Sequence, residues 1–383
     1  MKSESIINNS DNIKTYRESN FELLRIFAML AIVSYHFAYH GGFKYDTQII
    51  TLPRLWYLFL EMGGSFGVNV FVLISGYFLS NDKNGCIDSH RVLKFWGQVC
   101  FYSVTIFVIS CGLGICKLSP VSIVKTIFPI TWEKWWFAST YFVMYLMHPF
   151  VNRLLRQLDK RDFQKLLLFL VGIWCLIPTF TFQLEKFQSN YFLWFLTLYI
   201  IAAYVRSYDL NPKFTYKHYL FFFLLFSSLR YLSCIALAMI GVKIQIAGEY
   251  SLVFYNMQSV LTLVSSLSVV MVFKNTKVGY NRWINLVASA TFGIYLIHDS
   301  ELIRTVLWND LFKSSSLQGT VLLIPYSIVV TILVYMVCTL IELFRQRNAE
   351  KWYLPILCRC YDCLVEKGTL IIGETKEIVF GKS

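Results

Sequence analysis

The stretch from Asn20 to His40 reads N-F-E-L-L-R-I-F-A-M-L-A-I-V-S-Y-H-F-A-Y-H. Before the terminal His40, the ionisable residues Glu22, Arg25 and His36 interrupt an apolar run of the length a bilayer crossing needs, roughly 20 residues. Arg25 and His36 are eleven positions apart. Eleven steps of about 100° return almost to the starting face, with a rise of roughly 16 Å. One helix face therefore presents an arginine near one end and a histidine well inside the other. Ionisable groups at such depth are costly and usually face a cavity. Taken singly, Arg25 could snorkel to a lipid phosphate and His36 could be a satisfied bond between helices. On one face together they point toward function.

The rest of the chain extends this reading. Its 383 residues are 56% hydrophobic and 15% charged, with a mean hydropathy of +0.53. Soluble domains carry about 25% charged residues, so the composition implies a bilayer as solvent and an all-α, polytopic helical bundle. Spans are expected near 21–40, 63–80, 95–116, 136–152, 165–182, 191–206, 217–241, 251–273, 284–303 and 320–344, the fourth being the weakest. Residues 1–20 read as a cytoplasmic lead, 21–344 as one membrane domain and 345–383 as a cytoplasmic tail. The polar lead and the full first span argue against a cleavable signal peptide.

The net charge of +12 would suggest nucleic acid in a soluble protein. Here the cations fall in short loops and report orientation instead. With ten spans and the N-terminus inside, 24 of the 35 Lys and Arg residues lie inside, nine outside, and Arg25 and Arg230 within spans. That asymmetry places both termini in the cytoplasm. Of the ten cysteines, Cys100, Cys111, Cys116, Cys175, Cys234 and Cys338 fall in apolar spans and read as small hydrophobes. Cys358, Cys360 and Cys363 offer only three zinc ligands at an unusual spacing, so inert thiols are the simpler reading.

Several stretches together carry a resemblance. R-x10-H in the first span is one. Gly67 to Ser80 reads G-V-N-V-F-V-L-I-S-G-Y-F-L-S, and Ser89 to Lys94 reads S-H-R-V-L-K. Trp135 to Phe150 reads W-W-F-A-S-T-Y-F-V-M-Y-L-M-H-P-F, and Thr291 to His298 reads T-F-G-I-Y-L-I-H. In this order they resemble the acyltransferase-3 family of integral membrane acyltransferases, which O-acylate surface carbohydrates. One departure is Lys94, where the family usually has a second arginine; the charge survives but bidentate geometry does not.

The resemblance implies transfer of an acyl group, acetyl first of all, from acyl-CoA to a glycan hydroxyl. The protein would sit in the bacterial inner membrane, beside the machinery that makes an exopolysaccharide or capsule. No permanently bound cofactor or metal is implied. His36 and Arg25 are the catalytic candidates. An imidazole in an apolar setting is neutral and can accept the acceptor's proton, or it could be acylated itself. Arg91 and Lys94 are candidates for the CoA phosphates, although positive-inside topology also explains them. Ser75 and Tyr77 could line the donor path, or Gly76 between them could only permit close helix packing. Tyr295, His298 and Glu301, with Asp299 beside them, could bind the acceptor or form a structural polar set. Arg230, too deep to snorkel, needs a partner, for which Asn69 and Glu61 are candidates. Trp132, Trp135 and Trp136 could stack on a sugar or form an interfacial belt.

No phosphate-binding loop, nucleophile elbow or metal-ligand spacing is evident in the sequence. The rival class is a transporter or flippase of glycans or lipid-linked sugars, which ten spans and buried arginines also fit. Paired broken helices in two matching halves, its usual mark, are not evident.

Overall fold

The computed structural model describes residues 18–45, 49–82, 86–181, 190–244, 247–248 and 250–380. Lys2, Lys14, Arg17, Lys83, Lys186 and Lys382 of the charge count, and residue 182 of the fifth expected span, lie outside them. Among the described residues every regular element is helical.

Helix α1 (Ser19–His40) is the hub. It has no internal glycine or proline, and it stops at Gly41 and Gly42, the latter at φ 70°, a left-handed turn that glycine adopts without strain. Next, α2 (Leu52–Glu61) and α3 (Gly63–Leu79) form one apolar stretch interrupted at Met62. A break in a membrane helix frees backbone groups that must be satisfied inside the protein. The Arg230 guanidinium donates to the Met62 carbonyl at 3.1 Å.

Gly63 and Gly67 sit one turn apart on the face of α3 that meets α1. A Cβ on Gly67 would stand 2.8 Å from the Ala28 carbonyl oxygen, and one on Gly63 would strike that of Ala31. Small residues at this spacing let membrane helices pack backbone to backbone. Gly76 does the same against α8, where Tyr199 Cα would lie 3.0 Å from an added Cβ.

The following helices are α4 (Ser89–Gly112), the short α5 (Pro120–Ile127), α6 (Trp136–Leu155) and α7 (Lys160–Val171), which runs through a π turn to Phe180. Then come α8 (Tyr191–Tyr208), α9 (Tyr216–Gly241), α10 (Val260–Lys274), α11 (Arg282–Ser289) and α12 (Thr291–His298). A short helical segment from Glu301 to Leu311 precedes α13 (Leu323–Arg347) and α14 (Glu350–Phe380). Helix α1 packs against α2, α3, α10, α11, α12 and α13.

Among the described residues, eight helical stretches are long and apolar enough to cross a membrane. The other two expected spans are helical as well: α6, at 20 residues, is long enough but not apolar enough, and α11 and α12 are two short helices of 8 residues each. Outward-facing Phe221, Leu224, Leu340 and Phe344 are exposed, a surface a bilayer would solvate. The chain is thus a multi-pass helical membrane protein.

Inside the bundle, polar bonds join the helices. Asn69 donates to the Met257 carbonyl at 2.8 Å and accepts from the Trp194 indole at 3.0 Å. Such contacts contribute roughly 0.6–2 kcal/mol each in a membrane. Asn69 is therefore not the partner of Arg230, which also lies 3.5 Å from Ser265 Oγ and over the Tyr255 ring at 5.4 Å. Among the described residues no carboxylate pairs with Arg230, so Glu61 does not either. Of the cysteines, Cys175, Cys234 and Cys338 are buried, whereas Cys111 and Cys116 meet at 3.0 Å at the end of α4.

Candidate active site

A cavity of about 760 Å³ lies along one stripe of α1. Glu22 and Arg25 line one end. His36, His40, Asp299 and Arg304 line the other. The wall between is apolar and aromatic, with Met29, Ile32, Val68, Phe71, Phe95 and Phe137 on it. The helical repeat explains the stripe: positions 22, 25, 29, 32 and 36 follow one another at three- and four-residue intervals.

At the far end the histidines form a chain whose hydrogens can be placed. His298 Nδ1 is 2.6 Å from the Ile294 carbonyl, which can only accept, so Nδ1 carries the hydrogen. His298 Nε2 of the neutral ring is then an acceptor. It lies 2.8 Å from His36 Nδ1, which must donate to it. That leaves the lone pair of neutral His36 on Nε2. His36 Nε2 faces Asp299 Oδ1 at 3.8 Å, and the same oxygen accepts from His40 Nε2 at 3.2 Å. Together these residues hold a proton acceptor beside a carboxylate that can stabilise the imidazolium once it forms.

Not all the expected site residues meet here. Arg25 is on the cavity, ion-paired to Glu22 one turn earlier. Ser75 and Tyr295 also line it. His298 is fully buried behind His36 and acts on the cavity only through it. Tyr77 lies elsewhere: its hydroxyl accepts from Arg206 at 2.8 Å and its ring stacks on Phe21. Arg91 is exposed and paired to Asp88 at 3.0 Å. Lys94 is half-exposed and pairs with Glu350 at 2.6 Å. Arg230 is not on the cavity wall, and Glu301 is exposed. Of the tryptophans only Trp136 lines the cavity, 4.7 Å from the Tyr191 ring.

Three features escaped the sequence reading. His36 and His40 are one turn apart, but Asp299 joins them from 259 positions away. So the sequence spacing showed no metal-ligand group, whereas the fold assembles a candidate one. Arg304 supplies a cation at the same end. Finally, Glu342, fully buried, accepts from Tyr102 at 2.6 Å, Gln98 at 3.1 Å, Arg345 at 2.7 and 2.8 Å, and Gln346 at 2.7 Å. This network lies directly behind Gly293 of α12, where a Cβ would strike the Glu342 carboxylate. A carboxylate three positions, about one helical turn, ahead of the basic run at Arg345 was the available signal.

Fold and cavity define a membrane-embedded protein that encloses its polar chemistry within the bundle. A family model described as an acyltransferase domain matches residues 18–343, and the chain belongs to this acyltransferase-3 family. It is a membrane acyltransferase. No curated protein and no solved structure matches the chain.

Proposed function

We propose that the chain transfers an acyl group, acetyl in the first instance, from acyl-CoA to a hydroxyl of a cell-surface or secreted polysaccharide, in the bacterial cytoplasmic membrane. One observation carries the reading: a single cavity joins Arg25 to His36. The charge asymmetry of the loops puts the Arg25 end toward the cytoplasm, where acyl-CoA is made. The thin, flexible pantetheine arm suits a narrow apolar passage, and Arg25 offers a cation to its phosphate-bearing side. Arg91 and Lys94 lie off the cavity and fit at most the outer approach of the nucleotide.

The acceptor hydroxyl would come to the other end. His36 Nε2 takes its proton as the hydroxyl oxygen bonds to the thioester carbonyl carbon. Asp299 stabilises the resulting imidazolium, and Arg304 offers positive charge to the carbonyl oxygen as it becomes an oxyanion. The carbon–sulfur bond then breaks, the thiolate takes the proton from His36, and CoA leaves as the thiol. Tyr295 and the Trp136–Tyr191 pair supply surfaces on which a sugar can stack. Polymer-building enzymes of the same membrane are the expected suppliers of the acceptor.

The test is purified protein in lipid vesicles with radiolabelled acetyl-CoA and a crude surface-glycan extract. Release of CoA with label in the glycan is expected, and neither with His36→Ala. Glycan that crosses the vesicle wall unlabelled would replace this reading with the flippase.

A further inference from the structure

His36 and His40 stand one turn apart on α1, and Asp299 reaches both from the end of α12. All three ligand-capable atoms lie within 4.8 Å of one another. We propose that these side chains form a binding site for a divalent transition metal of the zinc class, and that its occupancy shuts off acyl transfer. The shut-off rests on the reading of His36 as the base; the site itself does not.

Three observations carry it. First, the separations fit. A tetrahedral zinc with bonds of about 2.0–2.2 Å sets its ligand atoms about 3.4 Å apart. Asp299 Oδ1 is 3.2 Å from His40 Nε2 and 3.8 Å from His36 Nε2, each within tenths of an ångström of that value. The two imidazoles approach within 4.8 Å, a separation that side-chain rotation about the ion can close. Second, His36 is already oriented as a metal-bound imidazole is. Its Nδ1 donates to His298 at 2.8 Å, and His298 is fixed in turn by the Ile294 carbonyl at 2.6 Å. Outer bonds of this kind orient metal-bound imidazoles. Third, the three residues occupy one side of the ion and all border the cavity, which leaves a fourth position open for water. His40 would carry its hydrogen on Nδ1 in this state.

The metal bonds through the lone pair that His36 Nε2 needs to accept a proton, so a bound ion and an active base exclude each other. Arg304 borders the same end and its charge opposes a cation. The site is therefore a reversible one, and Arg304→Gln should tighten it.

Cobalt(II) tests this directly on the full-length protein in detergent, because its visible absorption intensifies when it becomes tetrahedral. One equivalent should give the band, and zinc should erase it. His40→Ala and Asp299→Asn should each weaken binding about tenfold or more, while Arg304→Gln strengthens it. His40→Gln serves as a second variant should His40→Ala fail to fold, judged by gel filtration. Zinc should suppress CoA release by the wild type at concentrations matching the cobalt titration, and the His40 variants should need correspondingly more. A wild type without the cobalt band overturns the site and leaves the acyltransferase reading intact. A band whose saturation leaves turnover unchanged, or raises it, overturns the shut-off. A band in a protein inert toward every acyl-CoA keeps the site and removes the proposed reaction instead.

Discussion

His36 Nδ1 lies 2.8 Å from His298 Nε2, a bond between two imidazoles 262 positions apart in the chain. Because His298 is fixed by its own helix's backbone, the pair has one workable arrangement of hydrogens. It turns the basic nitrogen of His36 toward the cavity. Under the proposed mechanism, His298 would position the base without touching substrate.

The two histidines should separate in kinetics. His36→Ala is expected to lower kcat by about 10²–10⁴, with the KM for acyl-CoA little changed. His298→Ala should cost about 10–100-fold, and His298→Gln, whose side-chain amide can still accept a hydrogen bond, should recover part of that. Steady-state CoA release checks both. Equal loss in all three variants would mean that His298 takes part in proton transfer itself.

At the other end of the cavity, Arg25→Ala should raise the KM for acyl-CoA by about 10–100-fold, the value of a charged hydrogen bond of roughly 1.5–3 kcal/mol. Arg25→Lys keeps the charge and should lose less. Matching losses in the two variants would point to a two-pronged contact that lysine cannot make.

Glu342 anchors four donor side chains, so its removal should be felt throughout the fold. Truncating one member of a buried ion pair costs about 3–5 kcal/mol, and Glu342→Ala should lower the thermal midpoint of the purified protein accordingly. Arg345→Met added to Glu342→Ala should restore part of the loss, because it removes a buried charge left with Glu350 alone as its carboxylate partner, at 2.8 Å. Additive losses in the double variant would show that the pair is not coupled.

Gly293→Ala inserts a methyl group against that same carboxylate. Overpacking of this kind costs about 1–3 kcal/mol, and Glu342, held by five hydrogen bonds, has no room to yield. The substitution should destabilise the wild type and have much less effect in the Glu342→Ala background. Thermal unfolding of the four proteins completes the cycle.

Helix positions were legible because apolar runs report local bilayer exposure. The interruption at Met62 was not, since the Gly63–Gly64 pair that marks it sits inside an otherwise continuous apolar stretch. Arg25 and His36 were legible because both lie on one helix, where spacing alone fixes their common face. Asp299 and Arg304 were not, because their place beside His36 depends on how α12 packs on α1. The expectation that Asn69 or Glu61 pairs with Arg230 had the same weakness. Depth in the bilayer is readable from sequence, but the neighbour at that depth is not, and a backbone carbonyl at a helix break filled the role. The Cys358, Cys360 and Cys363 cluster lies on α14. Offsets of two and five residues on a helix point in different directions, so the three thiols do not converge.

That Arg25 and His36 share one uninterrupted helix has a consequence for how the enzyme could evolve. A rigid rod of fixed pitch acts as a gauge between the two ends of the passage. One residue inserted between them would swing His36 about 100° away from the cavity, and one deleted would swing it as far the other way. The interval can therefore change only by whole turns, so a lineage adapting to a longer acyl chain would have to carve the cavity walls rather than restretch α1.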